Sequence, residues 1–328
     1  MRAMQITELT GPATALKLAD VNEPEADHFL SPGSGVIVDV RAAGVSFPEL
    51  LQTRGEYQFK PPLPFVPGSE VGGIVRGAPE DATVKPGDRV AAFCMLGGFA
   101  EVAVAPAYFT FKLPDAVSFE QGAGLVLNYH TAYFALKLRG RLQAGESVLV
   151  HGGAGGVGTA TLQVAKGLGA RTIAVVSTEE KAEIARQAGA DHVVRSDGAW
   201  KDEVLGLTED GVDVVIDPVG GDRFTDSLRS LREGGRLVVV GFTGGSIPEV
   251  RVNRLLLKNT EVIGAGWGAY VMAKPAVTTE IGTAIGEMMT SGAVAPVVGA
   301  RFPLERAGQA LTLLDERGAT GKVVLKVA

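Results

Sequence analysis

Residues 151–158, HGGAGGVG, place Gly153, Gly155, Gly156, Val157 and Gly158 in a G-x-G-x-x-G pattern. Glycines at that spacing permit a tight turn, let backbone N–H groups approach a pyrophosphate and allow the next helix to pack closely, with the helix N-terminus attracting anionic charge. Alone the pattern is weak; between a strand and a helix it points to a dinucleotide. Which dinucleotide depends on the end of the following strand. An NAD-type site carries Asp or Glu there to accept from the ribose hydroxyls, whereas this chain has Ser177 in AVVSTEEK. A hydroxyl leaves room for a 2′-phosphate, and Lys181 and Arg195 are candidate cations for it. The expected cofactor is NADPH. Glu179 and Glu180 adjoin that lysine, and a solvated lysine in a first helical turn is the plain alternative.

These residues need elements to position them. From residue 147, apolar runs alternate with charge-bearing helical segments: SVLVHGG, GVGTATLQVAKGLGA, RTIAVVS, EEKAEIARQAGA, HVVR, a short helix over 200–205, VDVVIDPVG, a helix over 223–231, GRLVVVG and EVIGAGW. Six strands with right-handed crossovers make a complete α/β dinucleotide fold, doubly wound on a six-stranded parallel sheet. The strands are nearly continuous Val, Ile and Leu because helices cover both faces. From residue 1 to about 107 the pattern differs, with β-rich pieces such as GVIVDVRAAGV, EVGGIVRGA, DRVAAFC and FAEVAVAP set between Pro/Gly turns. This predicts an irregular β-barrel-like domain. A tail from residue 270, with helical TEIGTAIGEMMTSG and the strand GKVVLKVA, is expected to return to it.

A length of 328 residues favours two domains, and a formal charge of -6 without any Lys/Arg-rich run disfavours nucleic acid as a partner. The opening MRAMQITELTGPA lacks the apolar run of a signal peptide, and no stretch of ~18 uninterrupted apolar residues occurs, so no membrane partner is expected and the protein reads as cytoplasmic. Cys94 is the only cysteine. A single thiol allows no intrachain disulfide, no cysteine-based zinc lobe and no CxxC redox pair, and reads as a small buried hydrophobe.

Together AAGVSFPELLQTRGEY, LPFVPGSEVGGIV, KPGDRV, GGFAEVAV, HGGAGGVG and GATGKVVLKV resemble the medium-chain dehydrogenase/reductase superfamily, in its zinc-independent, zeta-crystallin-like quinone oxidoreductase branch, over essentially the whole chain. The resemblance implies a GroES-like β-rich catalytic domain from residues 1–124 and 269–328, a Rossmann NADPH-binding domain over 125–268, and an active site in the cleft. Zinc-dependent alcohol dehydrogenases of the superfamily have Cys where this chain has Ser46, and His, in GHE, where it has Ser69 in GSE. Serine does not replace thiolate or imidazole as a zinc ligand, so no metal is expected. The resemblance further implies Ser46 and Tyr57 as hydrogen-bond donors in the catalytic loop, Tyr57 being the better proton donor. It sets Asn128 and Thr131 beside the nicotinamide, with Gly241 and Phe242 of GFTGG and Gly266 and Trp267 of GWG near the same group. Quinone reductases commonly show Asn and Asp where this chain has Ser46 and Glu49, and a tyrosine of some members is Leu51 here. Each residue has a plainer alternative: Tyr57 a surface loop residue, Glu49 a carboxylate closing free N–H groups at a helix start, Trp267 packing, His130 and His151 structural.

Without zinc nothing strongly stabilises an alkoxide, so the expected reaction is hydride transfer from NADPH to a quinone or an α,β-unsaturated carbonyl, whose own oxygen takes up the charge. Reduction of an enoyl-thioester by the same addition is the nearest alternative; a weakly active NADPH-binding structural protein is the alternative of another class. EVIGAGW, an apolar run at a sheet edge, is a template for pairing, and a homodimer is expected.

Overall fold

The strand Gly35–Val45, GVIVDVRAAGV, is the spine of the first of two units and is buried along most of its length. In this computed structural model, which describes residues 1–327, the units are Met1–Leu127 with Pro296–Ala328, and Asn128–Ala295. Strands Glu70–Gly77 and Lys322–Lys326 flank the spine, both antiparallel to it, and Val102–Pro106 pairs along its first half. The sheet order is Val298–Pro303, Lys322–Lys326, Gly35–Val45, Glu70–Gly77, Arg89–Phe93, Thr110–Lys112. Val36, Val38 and Val40, at every second position of the pleat, all point into one core, where Val71, Val90, Phe99, Leu50 and Leu311 meet them. This is the β-rich part.

In the second unit six parallel strands stand in the order His192–Arg195, Arg171–Val176, Ser147–His151, Val212–Asp217, Leu231–Val239, Glu261–Gly264. Numbered along the chain this is 3-2-1-4-5-6, the doubly wound arrangement that the alternating runs predict. The central strands are wholly buried, and Leu149, Val175, Val215 and Leu237 form a core with Trp200, Phe224 and Leu228 from the crossovers. No helix among the described residues is long and apolar enough to cross a membrane.

Two expectations are corrected. The tail does not return to the first unit at residue 270: residues 270–295 belong to the second unit, and only Pro296 onward rejoins the first. Its attachment is specific, since the Gln163 side chain donates to the Ala295 carbonyl and accepts from the Ala295 N–H, both at 2.9 Å. The run EVIGAGW is a strand only to Gly264; Trp267 begins the helix Trp267–Ala273, with its indole 3% exposed and edge-on to His130 at 5.9 Å. Packing of the large ring ends the extended run.

Candidate functional site

Where the strand Gly35–Val45 ends, Ser46 opens the helix Phe47–Gln52, with Pro48 in its first turn. Strand register then chooses the neighbours: Gly44 faces Glu70 on one side, and Val45 faces Val323, next to Lys322, on the other. Gly44 has no side chain to keep these apart. A Cβ there would lie 2.7 Å from Glu70 Cγ, 2.8 Å from Lys322 Cε and 2.0 Å from the Ala123 carbonyl oxygen. Lys322 Nζ accordingly donates to Glu70 Oε1 at 2.5 Å and to Ser46 Oγ at 2.6 Å. Glu70 Oε2 accepts the Leu127 N–H at 2.9 Å.

A second acid completes the cluster. Glu49 Oε2 accepts the Ser46 backbone N–H at 2.9 Å, closing the helix start, and Glu49 Oε1 accepts the Ser69 hydroxyl. Glu49 and Glu70 are 0% exposed, Lys322 3%, Ser69 4% and Ser46 8%. Burial pushes the Glu49 carboxyl up from its ordinary range, with the Ser69 hydrogen bond and the Lys322 charge opposing. Half-buried Tyr57 sits in the loop after the helix; its phenol is pushed up by burial and then by the Glu49 charge, so it feels that carboxylate. Beyond Tyr57, Phe59 stacks on Phe29 with centroids 5.7 Å apart, both rings exposed.

In the second unit the strand Ser147–His151 runs into a turn with Gly152 at φ +60°, and the helix Gly156–Gly167 starts behind it. The turn closes only with glycine: a Cβ on Gly158 would lie 2.1 Å from the Gly152 carbonyl oxygen, and one on Gly153 2.7 Å from Ala174 Cβ. A Cβ on Gly156 would meet Asn128 Nδ2 at 2.5 Å, so the Asn128 amide stands against the turn. Asn128 and Thr131 are buried in a helical run with π-helical turns Val126–His130 and Phe134–Arg139, the kind of irregularity that frequents functional sites.

Ser177 follows the strand Arg171–Val176, and Lys181 Nζ lies 3.5 Å from its Oγ. Arg195 is opposite Val176 in register; its Nη2 reaches Asp197 at 2.8 Å, while its buried Nε has no hydrogen-bond partner among the described residues. One hydroxyl and two cations thus stand at the ends of adjacent strands, a set that fits a nucleotide bearing a 2′-phosphate. After the fourth strand, Asp217 accepts the N–H groups of Val219 and Gly220 at 2.8 and 2.9 Å, and Phe242 is 37% exposed beyond Gly241. His151 Nε2 pairs with Ser227 Oγ at 2.7 Å, and burial lowers the His151 ring to about 4 and His130 to about 3. Both are structural, and Trp267, set beside the nicotinamide by resemblance, is packed in the interior.

Residues 32–115 match the alcohol dehydrogenase GroES-like domain and residues 156–281 the zinc-binding dehydrogenase domain. Quinone oxidoreductase-like protein 2 of Rattus norvegicus is 41% identical over 330 residues, covering 99% of this chain and 92% of that protein. The chain belongs to the quinone oxidoreductase family. Among solved structures of quinone oxidoreductases, that from Thermus thermophilus, determined also in complex with NADPH, superposes with a TM-score of 0.84 at 33% identity over 100% of both chains. That from Pseudomonas syringae pv. tomato gives 0.85 at 32% identity over 99% of both.

One matched domain is named for zinc, and the residues of this quinone oxidoreductase family member do not fit that ion. Among the described residues no three His, Cys, Asp or Glu side chains cluster to hold a metal. At Ser46 and Ser69 the donors are two hydroxyls, and an ammonium already bonds the first of them and Glu70. The sequence offered Glu49 as a carboxylate closing a helix start, which it is, and gave no sign of Glu70 or Lys322. No local signal marked Lys322: that the strand KVVLK is buried at its first four positions, its leading lysine included, is seen only in the structure.

Proposed function

We propose that this family member is an NADPH-dependent reductase that works without a metal and delivers hydride to a quinone or an α,β-unsaturated carbonyl compound. The observation that carries the reading is the buried Lys322–Glu70 pair bonded to Ser46, which replaces metal ligands by a fixed organic cation and a hydroxyl. Such a site offers hydrogen bonds and no Lewis acid, and so suits an acceptor that already spreads incoming charge onto its oxygen.

Bound NADPH supplies the hydride. The glycine turn and the N-terminus of the helix Gly156–Gly167 hold the pyrophosphate, and Ser177, Lys181 and Arg195 hold the 2′-phosphate. Asn128 and Thr131, with the Gly241 and Phe242 backbone, orient the nicotinamide. Ser46 and Tyr57 meet the acceptor oxygen, and the exposed Phe29–Phe59 stack offers a planar ring an aromatic face. The assembly is a homodimer formed about the free edge of Glu261–Gly264.

The test is NADPH oxidation against quinones, enones, enoyl-CoA esters and, in reverse, primary alcohols, with a strong chelator present and the metal content of the purified protein measured. Quinone or enone reduction that survives chelation is expected. One zinc per chain, or alcohol oxidation without quinone or enone reduction, would reverse the assignment.

A further inference from the structure

We propose that Lys322 makes the Ser46 hydroxyl the group that receives charge and gives a proton at the acceptor's oxygen; this rests on the reductase reading above. Ser46 Oγ accepts from Lys322 Nζ at 2.6 Å, and among the described residues no acceptor takes the Ser46 hydroxyl proton. A hydroxyl that accepts from an ammonium and has its own proton unclaimed is polarised as a donor.

Neither surrounding acid takes that proton in the structure. Both Glu49 oxygens are engaged, by the Ser46 N–H and the Ser69 hydroxyl, and both Glu70 oxygens, by Lys322 and the Leu127 N–H. Ser69 provides the contrast: equally small and also buried, it spends its proton on Glu49. The two serines are therefore wired with opposite polarity, Ser46 to the cation and Ser69 to the anion. Burial and then the Glu49 charge oppose release of the Tyr57 proton, whereas Ser46 has an ammonium behind it to replace the proton it gives.

The step balances. As hydride forms a C–H bond at the conjugated carbon, an electron pair moves onto the acceptor oxygen, and that oxygen takes the Ser46 proton. An N–H proton of Lys322 passes to Ser46 Oγ, leaving a neutral amine beside Glu70 that regains a proton from water after release. The resulting enol tautomerises to the saturated ketone or, from a quinone, to the hydroquinone.

The test uses para-nitrophenol, a phenol whose anion is coloured, bound to the full-length protein. Wild type is expected to favour the phenolate, lowering the bound phenol's pKa by at least about one unit, a preference of about tenfold. Ser46→Ala keeps the ion pair and should abolish the shift. The double change Lys322→Met/Glu70→Gln removes the cation without stranding a charge and should abolish it too, with folding checked by thermal melting and by NADPH titration. Each variant should also lower kcat for quinone by about 100-fold with NADPH affinity unchanged, and the triple variant should be no slower than Ser46→Ala alone. Absence of phenolate binding in wild type, or a shift retained without Lys322, overturns the proposal. If quinones are reduced but phenolate is not favoured, the proposal falls and the reductase reading stands; phenolate preference without reduction of quinone or enone does the reverse.

Discussion

Lys322 and Glu70 meet across the space that Gly44 leaves open, with Nζ and Oε1 2.5 Å apart and the two side chains 4% and 0% exposed. A pair this dry adds little net stability, because desolvation offsets its attraction, yet breaking it strands a charge. Glu70→Gln is therefore expected to cost about 3–5 kcal/mol. Lys322→Met/Glu70→Gln should cost less than Glu70→Gln alone. Gly44→Ala, whose methyl would press on the Ala123 carbonyl, should cost about 3 kcal/mol. Urea unfolding of the variants decides it; additive losses for the pair would count against the coupling.

The nucleotide end is tested from opposite sides. Lys181→Ala should remove one charge-assisted hydrogen bond to a 2′-phosphate, about 1.5–3 kcal/mol or roughly 10- to 150-fold in NADPH affinity, and leave NADH unchanged. Ser177→Asp should repel NADPH and offer NADH a partner. Because Arg195 keeps a buried Nε without a hydrogen-bond partner among the described residues, Lys181→Ala/Arg195→Ala should lose more than Lys181→Ala alone. Fluorescence titration of both cofactors reads all three; equal losses for NADH and NADPH would show the pocket is misassigned.

Stability should fall in mild acid. His130 is held at about 3 by burial, below the 6.5 of an exposed ring, so unfolding lets it take up a proton that the interior refuses. Its contribution is complete above about pH 6.5 and is lost as pH falls toward 3, roughly 2 kcal/mol of it between about pH 6.5 and 4.5. His151 and His28 are lowered in the same sense and add to the slope. His130→Gln should flatten the pH dependence of the urea midpoint by its share, and an unchanged slope would remove His130 from the account.

A homodimer is expected through Glu261–Gly264, which pairs with Leu231–Val239 on one side only. Val262 on this edge is 37% exposed, and Leu256 and Leu257, in the helix Asn253–Lys258 that precedes the strand, are 76% and 79% exposed. Light scattering at micromolar concentration should report about twice 34.0 kDa, and Val262→Lys should shift it toward the monomer. A wild type that stays monomeric rules out this edge.

The nucleotide fold was legible in the sequence because its signals are local. Six apolar runs separated by helical segments specify a parallel sheet, and the glycine spacing between the first strand and its helix is a local pattern, with Gly158 demanded by the nearby Gly152 carbonyl although Gly153 and Gly156 answer to the distant Ala174 and Asn128. Ser46 and Ser69, neither of them an ordinary zinc ligand, were equally plain. Boundaries that depend on packing were not: residues 270–295 join the second unit through Gln163, and Trp267 leaves the strand for the interior. The site itself was decided by tertiary structure alone. Lys322 stands 276 residues from Ser46 and 252 from Glu70, and nothing in its neighbours along the chain tells that its ammonium is buried. Two antiparallel registers and one missing side chain at Gly44 bring these groups together, and pairing between distant strands is set by the whole sheet, not by any one of its segments.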